Sequence, residues 1–242
     1  MDMTWLLERP IAHRGYHSEH VPENSLAAFY GAIQEDFIIE LDVRLLKDGE
    51  VVVFHDENLQ RMTGRDKKIR DCTYAGLKKI TLRHSSERIP LLKEVLDQVN
   101  GKVPLLIEIK NKGRVGELES KVVELLYKYN GVYAIQSFNP LSISWFKRHA
   151  PTVIRGQIAG DLVEEKSLKM RQKHVWNYFL SLKVSKPHFI SNDLYTPMWL
   201  LKRFANFEEL IKLGWTAKTQ QEYERGLQYF DNIIFEGFHP LT

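Results

Sequence analysis

Eight apolar runs rich in β-branched residues recur along the chain, near 10–13, 37–43, 103–109, 132–137, 153–158, 187–191, 214–218 and 232–236. Most are separated by stretches of helical periodicity, at 25–34, 91–99, 117–129, 141–149, 162–181, 198–204 and 220–228. Several of these open on cap signals, Asn24-Ser25 before the first and Asn139-Pro140 before the fourth. Strands that alternate with helices are joined by crossovers, so they run parallel and carry the helices on the sheet's faces. Eight such repeats within 242 residues predict an α/β chain folded as one (β/α)8 TIM barrel. An open doubly wound sheet obeys the same alternation, and both architectures gather their chemistry at the carboxyl ends of the strands. No linker rich in Gly, Pro or Ser and no fixed-period repeat divides the sequence, which is expected to be a single domain over 1–242.

Polar residues at those strand ends are therefore the candidates for chemistry. They are His13 and Arg14 on the first strand, Glu40 and Asp42 on the second, Glu108 and Lys110 on the third, and Gln136 and Ser137 on the fourth. The later strands offer Gln157, Ser191 and Asn192, Trp215 and Lys218, and Glu236. Charge is concentrated on the early ones. In IELDVRLLKDGEVVVFHDENL (39–59), Glu40 and Asp42 are two apart and share one face of an otherwise apolar strand. Asp48-Gly49 is a hairpin turn signal, and the return run 51–55 brings His55 and Asp56 back towards the two carboxylates. LLIEIK (105–110) repeats the arrangement, with Glu108 and Lys110 on one face.

Buried acids cost several kcal/mol each unless a counter-charge meets them, roughly 3–5 when one partner of a buried pair is missing. Glu40, Asp42 and Glu108 from neighbouring strands make a hard oxygen site suited to Mg²⁺ or Ca²⁺. A network of structural ion pairs with Lys110 and Arg14 is the alternative reading. His13 and His55 are the candidate proton carriers, since imidazole titrates near neutrality. Asp56 or Glu23 can orient one of them. The fork of Arg14 and the point charge of Lys110 suit the non-bridging oxygens of a phosphate. Together these groups fit phosphodiester cleavage.

The remaining composition excludes more than it assigns. Lys and Arg total 34 against 31 Asp and Glu, a formal net charge of +3, and the basic clusters at 65–70 and 166–174 carry no recognition motif, so no nucleic-acid partner is expected. A lone cysteine, Cys72, permits neither an internal disulfide nor a zinc cluster. The N-terminus has no signal-peptide pattern, and no run approaches the ~18 apolar residues of a membrane span. A cytoplasmic protein is expected. The aromatic run VWNYFLSL (175–182) reads as core, and a peripheral membrane contact is its alternative. Oligomeric state is not written in the sequence.

The chain resembles the glycerophosphodiester phosphodiesterase family in IAHRG (11–15), PENS-x-x-AF (22–29), IELDV with KDG (39–49), VVFHD (52–56) and IEIK (107–110). Weaker echoes follow in IQSF (135–138), RGQ (155–157), GWTAK (214–218) and NIIFEGFHP (232–240). The resemblance implies a (β/α)8 barrel that hydrolyses small-molecule glycerophosphodiesters to glycerol 3-phosphate and an alcohol with one divalent cation, Mg²⁺, Ca²⁺ or Mn²⁺. It implies that His13 and His55 are the acid/base pair and that Glu40, Asp42 and Glu108 hold the metal. Arg14 and Lys110 would contact phosphate, Glu23 matches the acid of the PENS motif, and Trp215 matches the aromatic near the mouth of the seventh strand, which either contacts the alcohol moiety of the substrate or packs in the barrel core. The segment 57–90 is expected as a short cap. The last strand, IIFEGFHP, and GWTAK depart from the family's usual IITD-x-P and WTVN runs, which bears on substrate choice. A phospholipase D-like activity on lysophospholipids and a non-catalytic ligand-binding barrel are the competing readings.

Overall fold

The computed structural model of the chain describes residues 1–159, 180–196 and 209–241. The expected strands all form: β1 (Ile11–Ala12), β2 (Ile38–Leu45), β3 (Val51–Val53), β4 (Leu105–Ile109), β5 (Tyr133–Ser137), β6 (Ile154–Ala159), β7 (Phe189–Asp193), β8 (Ile211–Ala217) and β9 (Asn232–Phe235). One sheet takes them in the order β1-β9-β8-β7-β6-β5-β4-β2-β3, with β1 also paired to β2. Neighbours run parallel in β1–β2, β2–β4, β5–β6, β6–β7, β7–β8 and β8–β9. The exception is the hairpin return, where β3 lies antiparallel on β2. This is the (β/α)8 barrel expected of the alternation, with a hairpin after its second strand. The described helices are α1 (Trp5–Glu8), α2 (Leu26–Gln34), α3 (Gln60–Thr63), α4 (Tyr74–Leu77), α5 (Leu92–Val99), α6 (Glu117–Leu126), α7 (Pro140–His149) and α8 (Gln220–Leu227). The helices expected over 162–181 and 198–204, the basic run 166–174 and most of the aromatic run 175–182 lie outside the described residues. No helix among the described residues is long and apolar enough to cross a membrane.

Packing divides the chain into two compact units, Ile11–Tyr133 and Met1–Pro10 with Ala134–Thr242. In the first, β2 and β4 are buried over Ile38–Val43 and Leu105–Ile109, as strands covered on both faces must be. Their parallel register sets Asp42 beside Glu108 and Glu40 beside Leu106. β1 pairs Ala12 with Ile39, so His13 continues the ladder at the level of Glu40. Ser25, fully buried, ends the loop before α2: its Oγ accepts from the Ala28 N–H (3.1 Å) and donates to the Pro22 carbonyl (2.6 Å). Ser25→Ala leaves an N–H of the first helical turn without its cap, and loses roughly 1–2 kcal/mol of unfolding free energy in urea titration. A loss under a few tenths of that figure would show that water takes over the cap.

The 57–90 segment is more than a loop. It contains α3, a 3₁₀ turn at Ile69–Asp71 and α4, and it closes a small core of its own against the hairpin. Val52 and Phe54 from the hairpin meet Leu59, Ile69, Leu77 and Leu82 there, each at most 3% exposed. That apolar anchoring fixes where the chain leaves β3, and so where His55, Asp56 and Arg61 stand.

In the second unit, Asn232 at the start of β9 donates through Nδ2 to the carbonyls of Leu6 (2.6 Å) and Arg9 (2.7 Å), which ties down α1 and the chain start. Gln157, buried on β6, donates to the carbonyls of Ser137 (3.0 Å) and Phe138 (3.2 Å) at the end of β5. Lys218 and Glu236, just past β8 and β9, pair with one another at 3.2 Å.

Candidate active site

Period 2 in β2 and β4 puts Glu40, Asp42 and Glu108 on one side of the sheet, and the register puts them together. Each offers a carboxylate oxygen within 4.8 Å of the others, and none is more than 6% exposed. Their surroundings differ. Asp42 is surrounded by donors: Lys110 Nζ lies 3.2 Å from Oδ1, Arg14 Nε 3.3 Å from Oδ2, and Asn24 Nδ2 donates to Oδ2 at 2.8 Å. Burial raises the Asp42 pKa, but Lys110, Arg14 and the two histidines His55 and His13 outweigh it and hold the carboxyl well below the usual carboxylate range. Glu108 has Lys110 Nζ at 2.6 Å, yet burial dominates and pushes it up to about 7. The Glu40 side chain accepts only the Arg14 backbone N–H (3.0 Å) among the described residues, and burial together with Asp42 and Glu108 raises it well above the ordinary value.

Both sequence readings of the cluster find support in this geometry. The ion pairs to Arg14 and Lys110 exist, Lys110 meeting both Asp42 and Glu108, but burial still raises Glu108, and Glu40 has no side-chain cation paired to it among the described residues. Three buried carboxylates converging on one point with two of them under-neutralised form a site that can hold a divalent metal, and an all-oxygen donor set matches a hard cation.

Beside the acids stand the two cations and the two imidazoles expected from the sequence. Arg14, at φ 55°, turns its backbone N–H to Glu40 and its guanidinium to Glu23 (2.8 Å) and Asp42. Gly15 makes that turn: at φ +81° its N–H donates to the Glu40 carbonyl (3.2 Å), and an added Cβ would sit 2.9 Å from Ala28 and Phe29. Lys110 follows β4 directly and its N–H donates to the Val43 carbonyl (3.1 Å). His55 lies just past β3, where the Phe54 N–H donates to the Asp42 carbonyl (2.9 Å). Its Nδ1 is 2.7 Å from Asp56 Oδ1. So Asp56, not Glu23, orients this imidazole. His13 stands near enough to Asp42 to lower its pKa.

Glu23 is bound up with guanidinium groups instead. Arg61 from α3 donates to both of its oxygens (NH1 2.8 Å, NH2 2.6 Å) and through Nε to Asp56 Oδ2 (2.6 Å). A continuous chain of charges results: His55, Asp56, Arg61, Glu23, Arg14, Asp42. Burial raises Glu23 and Asp56, but their bonds to Arg61 lead the opposing contacts and keep both carboxyls below the ordinary values. Burial is also the main influence on His55 and lowers its pKa. Arg61 and Asn24 were not foreseen from the sequence. Asn24 carried a signal, because asparagine before a helix readily takes the left-handed conformation it adopts here, φ 55°.

Trp215 belongs to the other unit. It lies on β8 in register with Asp193 and meets the exposed Phe138 edge to face, with ring centres 5.8 Å apart.

Comparison with known proteins shows the family and the fold. The sequence profile of the glycerophosphoryl diester phosphodiesterase family matches residues 13–231. A glycerophosphodiester phosphodiesterase of Caldanaerobacter subterraneus is 33% identical over 84% of this chain and 90% of its own. Lysophospholipase D GDPD1 of Homo sapiens is 30% identical over 90% of this chain and 80% of its own. The fold is also that of an Oleispira antarctica phosphodiesterase solved with the product sn-glycerol-3-phosphate, with a TM-score of 0.78 over 96% of this chain and 93% of that one, at 23% identity. With the profile matched over residues 13–231 and a relative 33% identical over most of both chains, the chain belongs to the glycerophosphoryl diester phosphodiesterase family.

Proposed function

We propose that the protein hydrolyses glycerophosphodiesters to glycerol 3-phosphate and an alcohol, with His13 and His55 as the proton carriers. The observation that carries this reading is electrostatic. One buried carboxylate, Asp42, has Lys110 and Arg14 at 3.2 and 3.3 Å, and its pKa is lowered by His55 and His13 as well, so both cations and both imidazoles act on the same acid. Glu40, Asp42 and Glu108 would hold the cation, Mg²⁺, Ca²⁺ or Mn²⁺, which when bound supplies positive charge for the phosphate oxygens. Arg14 and Lys110 add charge to the same oxygens, and both stay protonated because Asp42 and its acidic neighbours outweigh their burial.

His55 is the base in this reading. Asp56 is an ionised acceptor at Nδ1, so the proton sits on Nδ1 and Nε2 has the lone pair. Burial keeps the ring neutral at neutral pH. His55 takes the proton of the attacking oxygen as that oxygen bonds to phosphorus; the bond to the alcohol oxygen breaks, and His13 gives that oxygen a proton. The attacker is water or the glycerol 2-hydroxyl. Phosphorus NMR of products formed in ¹⁸O-labelled water separates them, since internal attack leaves a cyclic phosphate. Coupled detection of glycerol 3-phosphate from glycerophosphocholine with each cation tests the whole reading, and no release with any of the three would end it.

A second substrate class has support from a specific relative, the human protein named lysophospholipase D. Release of choline from micellar lysophosphatidylcholine, with none from glycerophosphocholine, would favour it.

Arg61 is a positioning residue here, acting through Asp56. Arg61→Ala removes the cation that lowers Asp56 and Glu23, so the Asp56 charge acts on His55 less opposed and raises the imidazole's pKa. The acid limb of the kcat/KM profile is expected to move to higher pH, with kcat down roughly 10-fold. Arg61→Lys should restore the limb in part. A uniform loss at all pH values would mean that Arg61 is merely structural.

A further inference from the structure

Next to the carboxylate cluster, within the unit Ile11–Tyr133, opens a cleft of about 440 Å³ with basic walls. Seven lysines and arginines line it against two glutamates, in a chain whose formal net charge is only +3. Three segments build it: the end of β2 and its turn with Arg44 and Lys47, the 3₁₀ turn with Lys68 and Arg70, and the loop between β4 and α6 with Lys110, Lys112 and Arg114.

Two of its lining residues, Arg44 and Lys110, also touch groups of the candidate site. Arg44 donates through Nε to the His55 carbonyl (2.8 Å), and Lys110 bridges Asp42 and Glu108. Lys112 meets Glu57 at 2.8 Å, whereas Lys47, Lys68 and Arg114 form no ion pair among the described residues. Exposed cations converging on a concavity attract anions and repel cations, and roughly 300–1,000 Å³ is the size of a small-molecule site.

We infer that the cleft receives the alcohol half of the substrate and selects alcohols that carry an anionic group of their own, such as a phosphorylated polyol. This rests on the phosphodiesterase reading above. Lys68 and Arg114 are the outer contacts for that group, while Arg44 and Lys110 form the wall shared with the scissile phosphate.

The metal-loaded protein and the Lys68→Ala/Arg114→Ala variant are compared on glycerophosphoinositol phosphate and glycerophosphocholine at low salt. Wild-type kcat/KM should favour the anionic substrate, and the variant should lose roughly 10-fold of that preference, mostly in KM, since two exposed charge contacts are removed. Added salt should erode the wild-type preference in the same way. Equal rates on the two substrates, or a parallel fall on both in the variant, would overturn the inference. Should neither substrate react, the phosphodiesterase reading fails by itself. Calorimetric binding of inositol phosphate then decides: binding lost in the variant upholds an anion cleft, and no binding to the wild type refutes it. Variant-sensitive binding to phosphatidylserine vesicles, with no preference between the soluble substrates, would also refute it and make the patch a membrane contact.

Discussion

Replacing His55 with alanine is expected to lower kcat on glycerophosphocholine at least ~100-fold, within the roughly 10²- to 10⁴-fold that a positioned acid or base contributes. His13→Ala should do the same, since in the proposed reaction each imidazole serves one of the two proton transfers. The folded state should survive, because the His55 side chain is 30% exposed and loses one hydrogen bond, the one to Asp56. Calorimetric binding of Mg²⁺ should also persist in both variants, as neither histidine belongs to the oxygen cluster. The double variant should be little worse than either single one, because groups that act on one transition state do not lose activity additively. A pH profile sharpens the assignment. Burial holds the His55 pKa below its ordinary value of 6.5, so the acid limb should lie under that pH and vanish in His55→Ala. More than a tenth of wild-type kcat in either variant would remove that histidine from the chemistry.

The parts of this site that a reader of the sequence can find are those fixed by short-range geometry. Glu40 and Asp42 share a face because a strand has period 2, and His55 returns to them because Asp48-Gly49 turns the chain back within a few residues. The third carboxylate needed more. Glu108 meets Asp42 only through a parallel register across a crossover of some sixty residues; period 2 marked its face on the strand, and the register that brings it to Asp42 is set by the fold. The choice between Asp56 and Glu23 as partner of His55 was open in the sequence. It turns on Arg61, 38 positions from Glu23, in a segment without strand or helix periodicity. The scattered aliphatic residues of 57–90, such as Leu59, Ile69, Leu77 and Leu82, gave no warning that they would close a separate core and hold that arginine in place. The strand read at 214–218 runs from Ile211 because Lys212, polar in sequence, pairs with Asp231 at 3.4 Å rather than facing the core.

The carboxylates lead to the second large expectation. Chelation should abolish turnover, and Mg²⁺, Ca²⁺ or Mn²⁺ should restore it, because the buried acids lose the positive charge that Arg14 and Lys110 supply only to Asp42 in full. The same deficit makes the metal-free protein pH-sensitive. Glu40 and Glu108 are raised above their unfolded value of 4.5, Glu108 to about 7, so the folded state binds more protons than the unfolded chain between those values. Stability is then fully present below 4.5 and is lost as pH rises through about 7. For Glu108 alone that shift amounts to roughly 3 kcal/mol. His55 is lowered and opposes this trend, so the comparison is made against a variant rather than against pH alone. In chelator, Glu108→Gln has nothing to ionise, and its unfolding free energy relative to wild type should rise by roughly 3 kcal/mol between pH 4.5 and 8. With Mg²⁺ present the order should invert, the wild type gaining stability from bound metal that the variant holds poorly. A Glu108→Gln difference that stays flat with pH in chelator would mean that Lys110 neutralises Glu108 in the folded protein, and the case for a cation at these three carboxylates would then lose its electrostatic ground.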